Sequence, residues 1–328
     1  MKDYSISAAR ATAMMMIICC HILQFYGSEL AWWLNSGVQV FLVISGFIYG
    51  QKEIENCYTF IKGRAKRILV PYYVYLVPSL ILYGIIDSSK ITFSRVIRVL
   101  FCLDTIEGLG HLWFVGIIVL CYLITPYLYW FCRTAVKDSK SITFIHIGIG
   151  FLILQIITCI YFSYVTTYRI ACYIFGYLLG FLYKKYGSKI IKYTAYVAIP
   201  VSIVSNILRI ILKYGNVVQI RGFSEVIFSV TEGYCHLLLG VTIFLIFKLM
   251  NPGEFTKFRE ILDITDSYSY SVYIVHHFLI LGPISLLKFF KLPINIIVLL
   301  AAVVVSAIFE KIISDLFLNM INKNSEAL

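Results

Sequence analysis

Runs of about 20 consecutive, mostly apolar residues recur from one end of this chain to the other, and no other feature limits its folding as strongly. A helix needs roughly 20 such residues to cross the hydrocarbon core of a bilayer. Inside lipid, only helices and closed barrels satisfy every backbone N–H and C=O. Barrel strands would read as short alternating segments, whereas these runs are long and continuously apolar. The chain is therefore expected to be all-α, a polytopic integral membrane bundle of about ten helices. The expected spans are 11–27, 34–50, 68–86, 112–131, 142–162, 168–183, 190–212, 224–249, 268–287 and 294–317. Charge usage agrees, because only 14% of the 328 residues are charged, against about 25% in soluble domains. No stretch is long enough for a soluble domain. Residues 1–328 thus read as a single membrane domain whose chemistry takes place within the bundle.

The formal net charge of +11 would suggest nucleic acid as a partner of a soluble protein. Here Lys and Arg sit mainly in loops, where membrane topology places them, so no nucleic-acid partner is expected. Ten spans put both termini on one side. Roughly two-thirds of the Lys and Arg fall on that side, which makes it the cytoplasm. No small-residue cleavage site separates the first apolar run from the second, so the first helix reads as retained. The nine Cys include no CxxC pair, and neither a disulfide framework nor a zinc site is expected. The segment ITFSRVIRVLF (91–101) sets Arg95 and Arg98 among apolar residues at helical spacing, the pattern of an interfacial helix on the outer face.

Ionisable groups inside spans are costly and mark candidate functional sites. Arg10 stands at the cytoplasmic start of the first span, with His21 eleven residues further on. At 1.5 Å per residue that is about 16 Å deeper, near mid-membrane. Glu232 and His236 are four apart and share one face of the eighth span, a spacing that lets a carboxylate orient an imidazole. His276 and His277 lie near mid-depth in the ninth span, and being adjacent they point about 100° apart. At most one of them is therefore expected to face the cavity of the others. His111 and Trp113, in GHLWF, begin the fourth span at the outer surface. They suit contact with an acceptor, or for Trp113 a membrane belt. Each histidine alone could simply hydrogen-bond a neighbouring helix. Three helices bringing imidazoles to similar depth suggest instead a polar cavity for proton transfer, with no metal expected. At the cytoplasmic edge, Lys62, Arg64, Lys66 and Arg67 crowd against the membrane. They read either as topological charge against headgroups or as a clamp for a phosphate-bearing ligand, with Arg64 and Arg67 three apart. Ser45, Gly46 and Gly50 near the inner end of the second span form either a tight helix contact or a narrow passage for a ligand chain.

These pieces, in this order, resemble the acyltransferase-3 family of bacterial membrane O-acyltransferases. The resemblance rests on Arg10 and His21 with ten residues between them, on GVQVFLVISGFIYG (37–50), and on Arg64-Ala65-Lys66-Arg67 followed by Pro71-Tyr72-Tyr73. HLWF (111–114) and SYSYSVYIVHH (267–277) complete it. It implies ten core helices in the bacterial plasma (inner) membrane, with membrane lipids as surroundings. It implies transfer of an acyl group, commonly acetyl, from cytoplasmic acetyl-CoA or another acyl-CoA to a hydroxyl of a glycan or lipid-linked sugar. Arg10 and His21 would then serve catalysis or donor positioning, and Arg64 and Arg67 would meet the CoA phosphates beside Ser45 and Gly46. Glu232, His236 and His276 are further catalytic candidates by depth alone. The chain departs from the family pattern at Ile6-Ser7-Ala8-Ala9-Arg10, where many members carry an Asp before the Arg. Three rival readings accompany this one: a non-enzymatic export or flippase component for an exopolysaccharide, an acyltransferase acting on a lipid or peptidoglycan precursor, and a proton-coupled small-molecule transporter, against which no inverted repeat is visible in the sequence.

Overall fold

The computed structural model describes residues 2–87, 91–137, 164–214, 223–250, 255–289 and 291–326. Within them the chain forms helices and no strand. In chain order these are α1 (Tyr4–Phe25), α2 (Ala31–Leu34), α3 (Gly37–Gly50), α4 (Cys57–Ile86), α5 (Phe93–Leu100), α6 (Trp113–Lys137), α7 (Tyr164–Tyr186), α8 (Ser188–Tyr214), α9 (Phe223–Leu249), α10 (Arg259–Leu281) and α11 (Ile294–Glu326). Eight helical stretches among the described residues are long and apolar enough to cross a membrane. They coincide with eight of the expected spans. The sixth expected span is helical as α7, and the fifth, 142–162, lies outside the described residues.

The outward faces of these helices are apolar. Tyr196, Val204, Ile297 and Phe309 are each more than half exposed. A water-soluble bundle would cover or replace such side chains, whereas hydrocarbon solvates them. The protein is a polytopic membrane protein on this ground as well as on hydropathy.

Local chemistry sets several helix ends. Asn56 caps α4 by accepting from the Thr59 N–H at 3.0 Å, so the helix starts well before the apolar run. Lys62, Arg64, Lys66 and Arg67 therefore lie on its early turns and not in a loop. Pro71 and Pro78 sit inside α4, which remains one helix, and the Ser79 hydroxyl donates to the Tyr75 carbonyl one turn back at 2.8 Å. Thr92 caps α5 at the Arg95 N–H. The expected amphipathic helix is thus present, with Val99 buried and Phe93 and Phe101 exposed.

The described chain divides into two compact units. One combines Met1–Met16, Trp33–Glu55 and Ile124–Arg259; the other combines Ile17–Trp32, Asn56–Leu123 and Glu260–Leu328. The first unit is built on the crossing of α3 and α7. Gly46 and Gly50 on α3 meet the α7 backbone at Tyr173, Gly176, Tyr177 and Phe181, and Gly176 and Gly180 on α7 meet the α3 backbone at Val43 and Phe47, so small residues line both contact stripes. A Cβ on Gly46 would run into the Tyr173 carbonyl and lie 2.7 Å from the Tyr177 nitrogen; one on Gly50 would lie 2.8 Å from the Phe181 nitrogen. In the same unit the Lys248 ammonium pairs with Asp3 at 2.5 Å, between the rings of Phe47 and Tyr183 at 5.4 and 4.9 Å. The second unit has a core of Tyr72, Leu76 and Tyr83 from α4, Val99 from α5, Ile106, Leu109 and Leu112 from the approach to α6, Val115 from α6 itself, and Phe278 from α10.

Candidate functional site

Within the second unit four histidine rings pack into one cluster. His21 comes from the last turns of α1, His111 from the 3-10 turn Gly110–Leu112 ahead of α6, and His276 and His277 from α10. The His21 ring centroid lies 5.2 Å from His276 and 4.5 Å from His277. The His111 ring stacks on His277 at 4.7 Å and meets His276 edge-on at 5.2 Å. His276 is fully buried, and His111 and His277 are nearly so.

The loop before α6 is tied to α10 by three hydrogen bonds. His277 Nδ1 donates to the Gly108 carbonyl at 2.8 Å, His111 Nε2 donates to the Ile274 carbonyl at 2.8 Å, and the Tyr273 hydroxyl donates to the His111 carbonyl. Gly108 makes this geometry accessible. Its φ is +77°, and a Cβ there would lie 2.6 Å from the Tyr83 hydroxyl and 2.9 Å from the Gly282 Cα. Only glycine fits a left-handed turn that tightly enclosed. The Tyr83 hydroxyl in turn donates to the neighbouring Glu107 carbonyl.

These bonds assign the tautomers. A carbonyl oxygen only accepts, so the ring nitrogen facing it carries the proton. His276 Nδ1 faces the Tyr273 carbonyl at 2.7 Å and the Val272 carbonyl at 3.1 Å. The remaining nitrogens, His111 Nδ1, His276 Nε2 and His277 Nε2, therefore hold lone pairs. Among the described residues those of His111 and His276 are buried with no hydrogen-bond partner. An unsatisfied buried acceptor costs about 1–3 kcal/mol, so these two nitrogens stand out from ordinary packing. The N–H groups of His111, His276 and His277 are already given to backbone carbonyls, and the nitrogens left over are acceptors. Among the described residues no group of three or more His, Cys, Asp or Glu has the arrangement of a metal site.

The residues singled out from sequence distribute as follows. His21 and His276 are in the cluster. His111, assigned from sequence to the outer surface beside Trp113, is buried in it, while Trp113 meets Phe114 edge-on at 6.1 Å. The expectation that only one of His276 and His277 faces the others is corrected. His21 and His111 each touch both rings, so the 100° between adjacent side chains is bridged by partners on two sides. Arg10 belongs to the first unit, eleven residues before His21 on the same helix. Arg64 is half-buried and Arg67 exposed on α4, and Lys66 between them donates to Asn322 at 3.2 Å. At Gly46 the tight helix contact holds and the passage does not, because the backbone of α7 occupies that face. Ser45 beside it is half-buried.

Glu232 and His236 also belong to the first unit. The Glu232 carboxylate accepts from the Arg209 guanidinium at 2.9 Å. Arg209 is buried, 5.4 Å over the Trp33 ring. His236 is buried, with the Tyr168 ring 6.4 Å away. Arg209 is buried but Glu232 is 27% exposed, and losing a hydrogen bond to a charged group costs about 1.5–3 kcal/mol. Glu232→Ala is accordingly expected to lower the melting temperature of the detergent-solubilised protein, and Glu232→Gln to lower it less. Equal and negligible shifts for both would show that the pair has no structural weight. Sequence reasoning overlooked Arg209, since nothing local separates an arginine near a helix end from one turned inward. It also overlooked Gln24, whose side-chain oxygen lies 2.6 Å from His21 Nδ1 and whose three-residue offset from His21 was a usable signal.

A family model described as an acyltransferase domain matches residues 3–311. Comparison with curated proteins and with solved structures finds no match.

Proposed function

Because the chain belongs to the acyltransferase-3 family and is a membrane acyltransferase, we propose that it transfers an acyl group, acetyl in the simplest case, from cytoplasmic acyl-CoA to a hydroxyl of a cell-surface or exported polysaccharide or its lipid-linked precursor. In this reading it works as a multi-pass protein of the bacterial inner membrane, with both termini in the cytoplasm. The observation that carries the proposal is the histidine cluster. Its bare, buried lone pairs suit a hydroxyl substrate, whose O–H is the donor they lack. Family membership narrows the electrophile to an acyl donor, and the basic face of α4 suits the phosphates of CoA, with Arg64 and Arg67 one turn apart.

His21 acts as the general base. It takes the proton of the acceptor hydroxyl as the oxygen attacks the thioester carbonyl. The carbon–sulfur bond breaks as the tetrahedral intermediate collapses, and the imidazolium returns its proton to the departing CoA thiolate. His276, His277 and His111 hold the acceptor and surround the transient charge. Arg10, on the same helix as His21, serves the donor side.

The proposal is tested by the ester-linked acyl content of surface glycans, measured by mass spectrometry. Cells carrying the intact protein, a deletion and His21→Ala at equal protein level are compared. A defined acyl mass should be lost in both mutants. Unchanged acylation with less polymer outside the cell would overturn the proposal in favour of export.

A further inference from the structure

In three of the four clustered rings the tautomer is held by a backbone carbonyl. His21 is held differently: its Nδ1 lies 2.6 Å from Gln24 Oε1. The two residues are three apart on α1, so their side chains share a face. An amide oxygen only accepts, which places the proton on Nδ1 and leaves the lone pair on Nε2. We propose that Gln24 is a positioning residue that holds His21 as the Nδ1–H tautomer and so presents Nε2 as the base.

The inference builds on the role proposed for His21, but the tautomer itself can be read without any activity. The titratable groups around His21 are the rings of His276 and His277, at 5.2 and 4.5 Å, with His111 stacked behind His277. An amide orients the imidazole without adding charge. A carboxylate in the same place would also orient it and would hold the proton more firmly once taken up. The neutral side chain thus suits a base that must return its proton, within the same turnover, to the thiolate of the leaving CoA.

Diethylpyrocarbonate, which acylates the lone-pair nitrogen of neutral imidazole, provides the test. The purified full-length protein in detergent is labelled across a pH series, and peptide mass spectrometry quantifies the His21 adduct and the nitrogen that carries it. In the unaltered protein the adduct should sit on Nε2. Gln24→Glu, which keeps an acceptor against Nδ1, should leave the adduct on Nε2, with His236 labelling unchanged. Gln24→Leu should spread the adduct over both nitrogens and lower kcat for acyl transfer about tenfold, with the KM for acyl-CoA unaltered. Identical His21 profiles and regiochemistry in all three proteins would overturn the inference. Changed labelling with unchanged acyl transfer would uphold the positioning role of Gln24 and instead remove His21 from catalysis.

Discussion

Replacing His276 by phenylalanine should lower the rate of acyl transfer about tenfold, the worth of one hydrogen-bond acceptor that holds the substrate hydroxyl, while leaving the protein folded in the membrane. The ring is fully buried, and phenylalanine preserves an aromatic of similar shape in contact with His21 and His111. It removes the lone pair on Nε2, which has no partner among the described residues, together with the Nδ1–H that faces the Tyr273 and Val272 carbonyls. Losing the unsatisfied acceptor stabilises and losing the donor destabilises by a similar amount, so the melting temperature should change little. The measurement is CoA release by purified protein in liposomes with the acceptor identified from the glycan analysis, alongside a thermal melt. A rate within threefold of the original would remove the cluster from the machinery. A rate loss with a large drop in melting temperature would point to a packing role only.

Gly46→Leu should have the opposite profile: a large loss of folded protein, whatever its effect on chemistry. Even the Cβ alone would run into the Tyr173 carbonyl and sit 2.7 Å from the Tyr177 nitrogen, and both are backbone atoms of α7 that cannot swing aside. Gly176 and Gly180 on α7 meet the Val43 and Phe47 backbones of α3 in the same way, so a side chain at Gly46 forces the two backbones apart along the whole crossing. Overpacking costs about 1–3 kcal/mol where neighbours yield, and here about 3 kcal/mol or more is expected. Gly84→Ala on α4 is the control. A Cβ there meets nothing within 4 Å, and helix propensity favours alanine by about 0.5–1 kcal/mol. Melting temperatures of the two purified variants should therefore move in opposite directions. A Gly46→Leu protein as stable as the parent would show that α3 and α7 do not cross as closely as described.

The membrane architecture was legible because its cause is local. A run of apolar residues long enough to cross the hydrocarbon must satisfy its own backbone, so hydropathy alone marks most spans. The order of Arg10, His21, Arg64, Arg67 and the late double histidine was equally legible, and pointed to the family that the chain belongs to. Depth along each helix placed His21 and His276 at comparable levels before any packing was known.

Direction around the helix axis was a different matter, because it depends on what each helix meets. Sequence placed His111 on the surface at the head of a span; the tight turn at Gly108 and the bond to Ile274 draw it inside. It allowed only one of the adjacent His276 and His277 into the cluster, since it contained no sign that His21 and His111 would approach α10 so as to touch both. It left Gly46 open between a passage and a helix contact, and only the position of α7 decided for contact. Arg209 looked like one more positive charge until Glu232 was found 2.9 Å away. Hydropathy and chain order determined which segments enter the membrane and which family they belong to. Which side chains share a site was decided by long-range packing and by hydrogen bonds to backbone carbonyls, because those partners are far apart in the chain and leave no periodic trace in it.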